Sequence, residues 1–178
     1  MSAETPNEGQ KPVVYNPFPH AMRWGLAVGA CFIATFFMSV SGIAVLSMLT
    51  WAVDIGMLYL IYRIACNYRD TECGGRMRYF QVFSYVLLLV FFASLVASAV
   101  KYAYLQFLAP DYLPSLYNQV MLLLEEMNVD LPAGFSDQLK VLMQPIQYAM
   151  QSITAECFMG CLIGVIYGFF IRRTEQKI

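Results

Sequence analysis

The chain has little charge, one histidine and two tryptophans among its 178 residues. Asp, Glu, Lys and Arg make up 13% of it, where a soluble domain carries roughly 25%. That scarcity, beside a 59% hydrophobic content and a mean hydropathy of +0.56, excludes an ordinary soluble domain. The lone His20 excludes any centre built on two histidines. No G-x-S-x-G, Walker loop, H-E-x-x-H or paired acidic loop motif occurs. The expectation is therefore a non-enzymatic protein with no cofactor, no metal and no nucleic-acid partner. Strict apolar–polar alternation is also missing, which excludes a membrane barrel.

Charge is absent in long stretches. Trp24–Ile43 and Val82–Val100 hold none, Ile43–Tyr62 holds only Asp54, and Gln151–Ile171 holds only Glu156. About 20 apolar residues suffice to cross a hydrocarbon core of about 30 Å. The sequence thus predicts an all-α polytopic membrane protein with four transmembrane helices, at about 22–41, 43–63, 79–108 and 145–172. Residues 21–178 form one membrane domain, preceded by a flexible tail over 1–20 that is rich in proline. A short amphipathic helical pair is expected within 110–144, with Leu116, Val120, Leu123 and Met127 on one face of the first helix and Ser136 capping the second. It could rest on the outer membrane surface or against the long helices, or act as a partner-binding or lid element.

The remaining charges are sorted by side. Lys11, Arg23, Arg63, Arg69, Arg76, Arg78, Arg172, Arg173 and Lys177 account for nine of the eleven Lys and Arg, all on one side of the spans. The 109–150 segment sets Lys140 against Asp111, Glu125, Glu126, Asp130 and Asp137. The positive-inside rule then puts both termini and the 64–78 loop in the cytoplasm and the acidic segment outside. The polar stretch before Trp24 argues for a retained first helix over a cleaved leader, despite the small residues Ser39-Val40-Ser41. None of the five cysteines falls in the acidic segment, so no disulfide framework is expected. Tyr59, Tyr62, Tyr68, Tyr79 and Phe80 are expected to form the inner aromatic belt, and Tyr102, Tyr104, Phe107 and Tyr112 the outer one.

An ionisable side chain within a span costs about 2.5–3.5 kcal/mol by insertion scales unless it is paired or hydrated. Asp54, Lys101 and Glu156 therefore need explaining. In "AECFMGCLIGVIYG", residues 155–168, Glu156 shares a stripe with Gly160, Gly164 and Gly168. On the third helix, Ala93, Ala97 and Lys101 form another. Small residues mark close helix contacts in membranes, and antiparallel depth matching sets Lys101 beside Glu156, Ala97 beside Gly160 and Ala93 beside Gly164. The pair could be an interhelical tie, a site that reads a polar headgroup, or no pair at all if Lys101 snorkels to the surface. Cys157 and Cys161 fall one position off this face and read as packing residues. Asp54 lies near mid-span. It could belong to a hydrogen-bonded seam with Thr35, Ser39, Ser47 and Thr50, carry a proton or cation, or meet a partner's basic residue. Gly74 and Gly75, with Tyr79 and Gln81 after them, make the cytoplasmic loop a candidate contact surface.

Four segments resemble a family. "YRDTECGGRMRYFQVF" (68–83), "YLQFLAPDY" (104–112), "MLLLEEMN" (121–128) and "QPIQYAM" (144–150) are together similar to four-span inner-membrane proteins of Bacteroidota catalogued as a domain of unknown function. Cys73 and Arg76 depart from the more neutral loop of that family. The resemblance implies no catalytic residues. It implies a bacterial inner-membrane location and a role near envelope glycosylation. The leading expectation is an accessory or assembly subunit, partnered in the bilayer by a membrane protein such as a glycosyltransferase. The alternative is an oligomeric small transporter or flippase-like protein using Asp54 or the Lys101–Glu156 pair.

Overall fold

The computed structural model describes residues 16–128, 132 and 134–171. The 1–15 tail, Asp130, Arg172, Arg173 and Lys177 lie outside the described residues, as does the side chain of Ser47. The chain forms α1 (Phe18–Val40), α2 (Ala44–Thr71), α3 (Tyr79–Ala103) with a π-helical turn at Tyr104–Leu108, α4 (Tyr112–Glu126), α5 (Phe135–Leu142) and α6 (Pro145–Ile171). No strand occurs among the described residues. Four helices are long and apolar enough to cross a bilayer, and the molecule is an all-α polytopic membrane protein.

Local chemistry sets the boundaries. Pro17 and Pro19 suit a helix start, where a missing N–H costs nothing, so α1 begins at Phe18 rather than 22. Its first residues thus take Phe18, Pro19 and His20 out of the expected tail. Gly42, at φ +68°, turns the chain into α2. That helix runs eight residues past the expected end at 63, because nothing from Ile64 to Thr71 breaks it and Ile64, Ala65 and Tyr68 are buried. It stops where Gly75, at φ +78°, donates its N–H to Arg69 O at 2.9 Å. Gln81 Oε1 accepts from Arg78 N–H at 2.8 Å and opens α3. Ser136 does not cap α5; Gly134, at φ +86°, precedes that helix.

α3 is the central helix. α1 packs on one face and α6 on another, while α2 packs chiefly on α1. The α1–α3 contact is close: a Cβ on Gly29 would stand 3.0 Å from Ala93 O, and one on Gly25 2.9 Å from Phe92 Cβ. The core joins Val28, Ile61, Tyr68, Val82, Val86 and Leu89. A second cluster of Phe36, Leu105 and Leu113 docks the start of α4 against α1 and the π-helical turn. The expected apolar face of α4 is only half right. Leu116 and Val120 are partly buried, but Leu123 and Met127 are exposed, and Leu113 and Leu124 take their place. The many exposed large apolar side chains, among them Val45, Met48, Trp51, Ile55, Phe169 and Phe170, are those a bilayer covers.

Candidate functional site

α2 and α6 run in the same direction and meet at the end of the bundle that holds the 72–78 loop. There Tyr167 Oη donates to Leu58 O at 2.9 Å, and the Tyr62 and Tyr167 rings stand edge to face at 5.7 Å. Towards the α4/α5 end the two helices leave a lateral cleft of about 430 Å³. Trp51, Ile55 and Met159 contribute apolar walls, and Phe32 of α1 and Val90 of α3 also line it. Two acidic residues share this cleft, Asp54 from α2 and Glu156 from α6. Ligand sites are commonly apolar concavities with a few polar groups that fix orientation.

Asp54 makes no hydrogen bond or ion pair with the described residues. The seam expected around it does not form among them. Thr35 Oγ1 donates to Phe32 O at 3.0 Å, Ser39 Oγ to Thr35 O at 2.9 Å and Thr50 Oγ1 to Leu46 O at 3.1 Å. Each hydroxyl returns to its own helix, the usual local outlet for Ser and Thr.

Glu156 is held differently. Lys101 Nζ donates to Glu156 Oε1, and both side chains are almost wholly buried. Glu156 Oε2 is buried with no hydrogen-bond partner among the described residues. Lys101 Nζ also lies 5.9 Å from the centre of the Phe36 ring, within cation–π range. Beyond the pair lies a vestibule of about 410 Å³, lined by Lys101, Tyr148, Gln151, Ser152, Ala155 and Glu156.

The expected register between α3 and α6 is corrected. A Cβ on Gly160 would stand 2.9 Å from Val90 Cβ, one on Gly164 3.1 Å from the Phe83 ring, and one on Gly168 2.5 Å from the Tyr79 ring. The glycines thus receive large side chains nearer the start of α3, not Ala97 and Ala93. Ala93 instead meets Gly29 of α1, and Ala97 is fully buried. Depth matching placed Lys101 beside Glu156 as if both were short. The long lysine stem reaches along the groove, so the pair forms although the backbones are offset.

The loop candidates have structural work. Gly74 and Gly75 adopt positive φ and end α2, Gln81 caps α3, and Tyr79 covers Gly168. A Cβ on Gly74 or Gly75 would meet nothing within 4 Å, so that corner is open. Cys73 is buried, and burial pushes its thiol up, which makes it a poor nucleophile.

Two features at the loop end were not anticipated. His20 Nδ1 lies 2.6 Å from Tyr85 Oη, and Tyr85 stacks on Tyr68 at 4.3 Å between ring centres. Tyr68 is therefore core, not belt. The partners of His20 are 48 and 65 positions away, and only the buried phase of α3 at Val82, Val86 and Leu89 could have flagged Tyr85. Arg69, which is buried, binds Asp70 through Nε and Nη2 at 2.7 and 3.1 Å, and Nη1 donates to Ile171 O at 3.3 Å. That places a cation at the carbonyl end of α6, where the helix dipole favours it.

No curated protein and no solved structure matches the chain. A family model described as "Protein of unknown function (DUF4199)" matches residues 23–173, and the chain belongs to that family.

Proposed function

We propose that the chain is a non-enzymatic protein of the bacterial cytoplasmic membrane whose lateral cleft binds an amphiphile bearing a cationic group, with Asp54 as the receiving anion. The observation that carries this reading is Asp54, without a partner among the described residues, on an apolar cleft of about 430 Å³, midway along a membrane-spanning helix. An unpaired charge at that depth is costly and finds its use in a ligand, ion or partner. The apolar walls suit the hydrocarbon part of an amphiphile entering from the bilayer. The distribution of Lys and Arg supports a cytoplasmic side for both termini and the 72–78 loop. The accessory-subunit reading is narrower than the sequence suggested. Gly160, Gly164 and Gly168 are covered by α3, so a partner such as a glycosyltransferase would meet the open Gly74-Gly75 corner or seat a basic side chain at Asp54.

The test is binding of radiolabelled tetraphenylphosphonium to the full chain in lipid nanodiscs. The wild type is expected to bind saturably, and Asp54→Asn to bind at least about tenfold more weakly, a loss of about 1.4 kcal/mol. Equal binding by both proteins would remove Asp54 from the site. Absence of saturable binding, with a stoichiometric membrane partner recovered from native membranes, would favour the subunit role.

A further inference from the structure

Lys101 and Glu156 stand between two cavities. The lateral cleft lies on one side and the polar vestibule on the other, and Glu156 lines both. One ammonium serves this region against two acidic residues, since among the described residues Asp54 has no partner and Glu156 keeps one oxygen unbonded. A buried carboxylate oxygen normally has a hydrogen-bond donor, and Glu156, which lines the cleft together with Asp54, keeps one buried oxygen without a donor among the described residues. The ammonium has somewhere else to go. Lysine is a hydrated point charge on a flexible four-carbon stem, the Phe36 ring lies within reach, and Tyr148, Gln151 and Ser152 offer polar atoms in the vestibule.

We propose that Lys101 is a built-in competitor for Glu156: the cationic group of a bound amphiphile takes over the Glu156 carboxylate, and the Lys101 ammonium moves out into the vestibule. This rests on the reading of the cleft as a cation site and adds a coupling to it. Occupancy of the lipid-facing cleft is reported at the α4/α5 end as an exposed lysine, and the barrier between the two cavities opens as the pair separates. A monovalent ligand neutralises the excess negative charge of the cleft. The displaced ammonium exchanges one carboxylate for water and the polar atoms of Tyr148, Gln151 and Ser152, so the exchange does not strand a charge in hydrocarbon.

The experiment is acetylation of the full chain in nanodiscs with a water-soluble sulfo-N-hydroxysuccinimide ester, read by peptide mass spectrometry. It is run with and without saturating tetraphenylphosphonium. Exposed Lys140 serves as the internal standard. The expected result is a several-fold rise in Lys101 acetylation with Lys140 unchanged. In parallel, Lys101→Met is expected to bind the cation about tenfold more tightly and Glu156→Gln about tenfold more weakly, within the usual range of coupling between sites. Lys101→Gln replaces Lys101→Met if the latter does not fold, and the labelling arm needs no substitution. Saturable binding to the wild type with unchanged Lys101 acetylation would make the pair a fixed tie and leave the cleft reading standing. Unaltered affinity in the lysine variant would do the same. No saturable binding to the wild type would overturn both.

Discussion

Asp54 and Glu156 are both acids in apolar surroundings, and the sequence marks each as the single charge of a long apolar run. Their circumstances differ by partner. Glu156 has Lys101, whose stem spans the offset between the α3 and α6 backbones, and Asp54 has none among the described residues. Four-residue spacing exposed the first pairing because a long flexible side chain tolerates an error in register. It could not give the glycine contacts, because Ala93 and Ala97 are equally small whether they face α6 or α1. The distinguishing signal lies in α1, where Gly25 and Gly29 are also four apart. At this scale one substitution pair tests the packing. Gly29→Leu would drive a side chain into Ala93 O and Val96 and is expected to destabilise the folded protein by about 1–3 kcal/mol. Gly56→Leu, on the same type of span but with open space at its Cβ, is expected to be neutral within the error of a thermal-unfolding scan. Equal losses at both positions would refute the close α1–α3 approach.

The helices themselves were largely legible, since length, apolar runs and proline positions decide them. The 79–108 extent of the third span and the start of α6 follow from Tyr79, Pro110 and Pro145, whereas the π-helical turn at Tyr104–Leu108 has no such signal. Where the reading fell short, tertiary contact had extended or redirected an element. α2 continues to Thr71 because Tyr68 and Ala65 find core positions, and α4 presents Leu124 rather than Leu123 because only its first turn is docked. Periodicity names a face but not which neighbour fixes its rotation. Paired cysteines read the outcome between elements. In a background with the five native cysteines replaced by alanine, Gly29→Cys with Val96→Cys is expected to crosslink under mild oxidant. A Cβ at 29 lies 3.5 Å from Val96 Cβ, inside the disulfide range of about 3.5–4.5 Å. The combination of Ala97→Cys with Gly160→Cys is expected not to crosslink. The reverse result would restore the register that depth matching suggested.

For the molecule as a whole, composition was enough to establish a four-span helical membrane protein, because hydrocarbon admits so few architectures. The cleft was not legible. It arises because α2 leans on α1 and meets α6 through Leu58, Tyr62 and Arg69, towards the loop end, a matter of how four helices distribute their contacts. No local signal in α2 announces a gap beside it. That gap brings Asp54 and Glu156, 102 positions apart, onto one surface, and it turns two isolated charges into one candidate site. The most direct measurement of this claim is photolabelling of the full chain in nanodiscs with a diazirine-bearing lipophilic cation, followed by peptide mapping. Adducts are expected to concentrate on Trp51, Ile55 and Met159, and to fall away when unlabelled tetraphenylphosphonium is added or when Asp54 is replaced by asparagine. Adducts spread evenly over the lipid-facing side chains of all four spanning helices, and unaffected by either change, would contradict it.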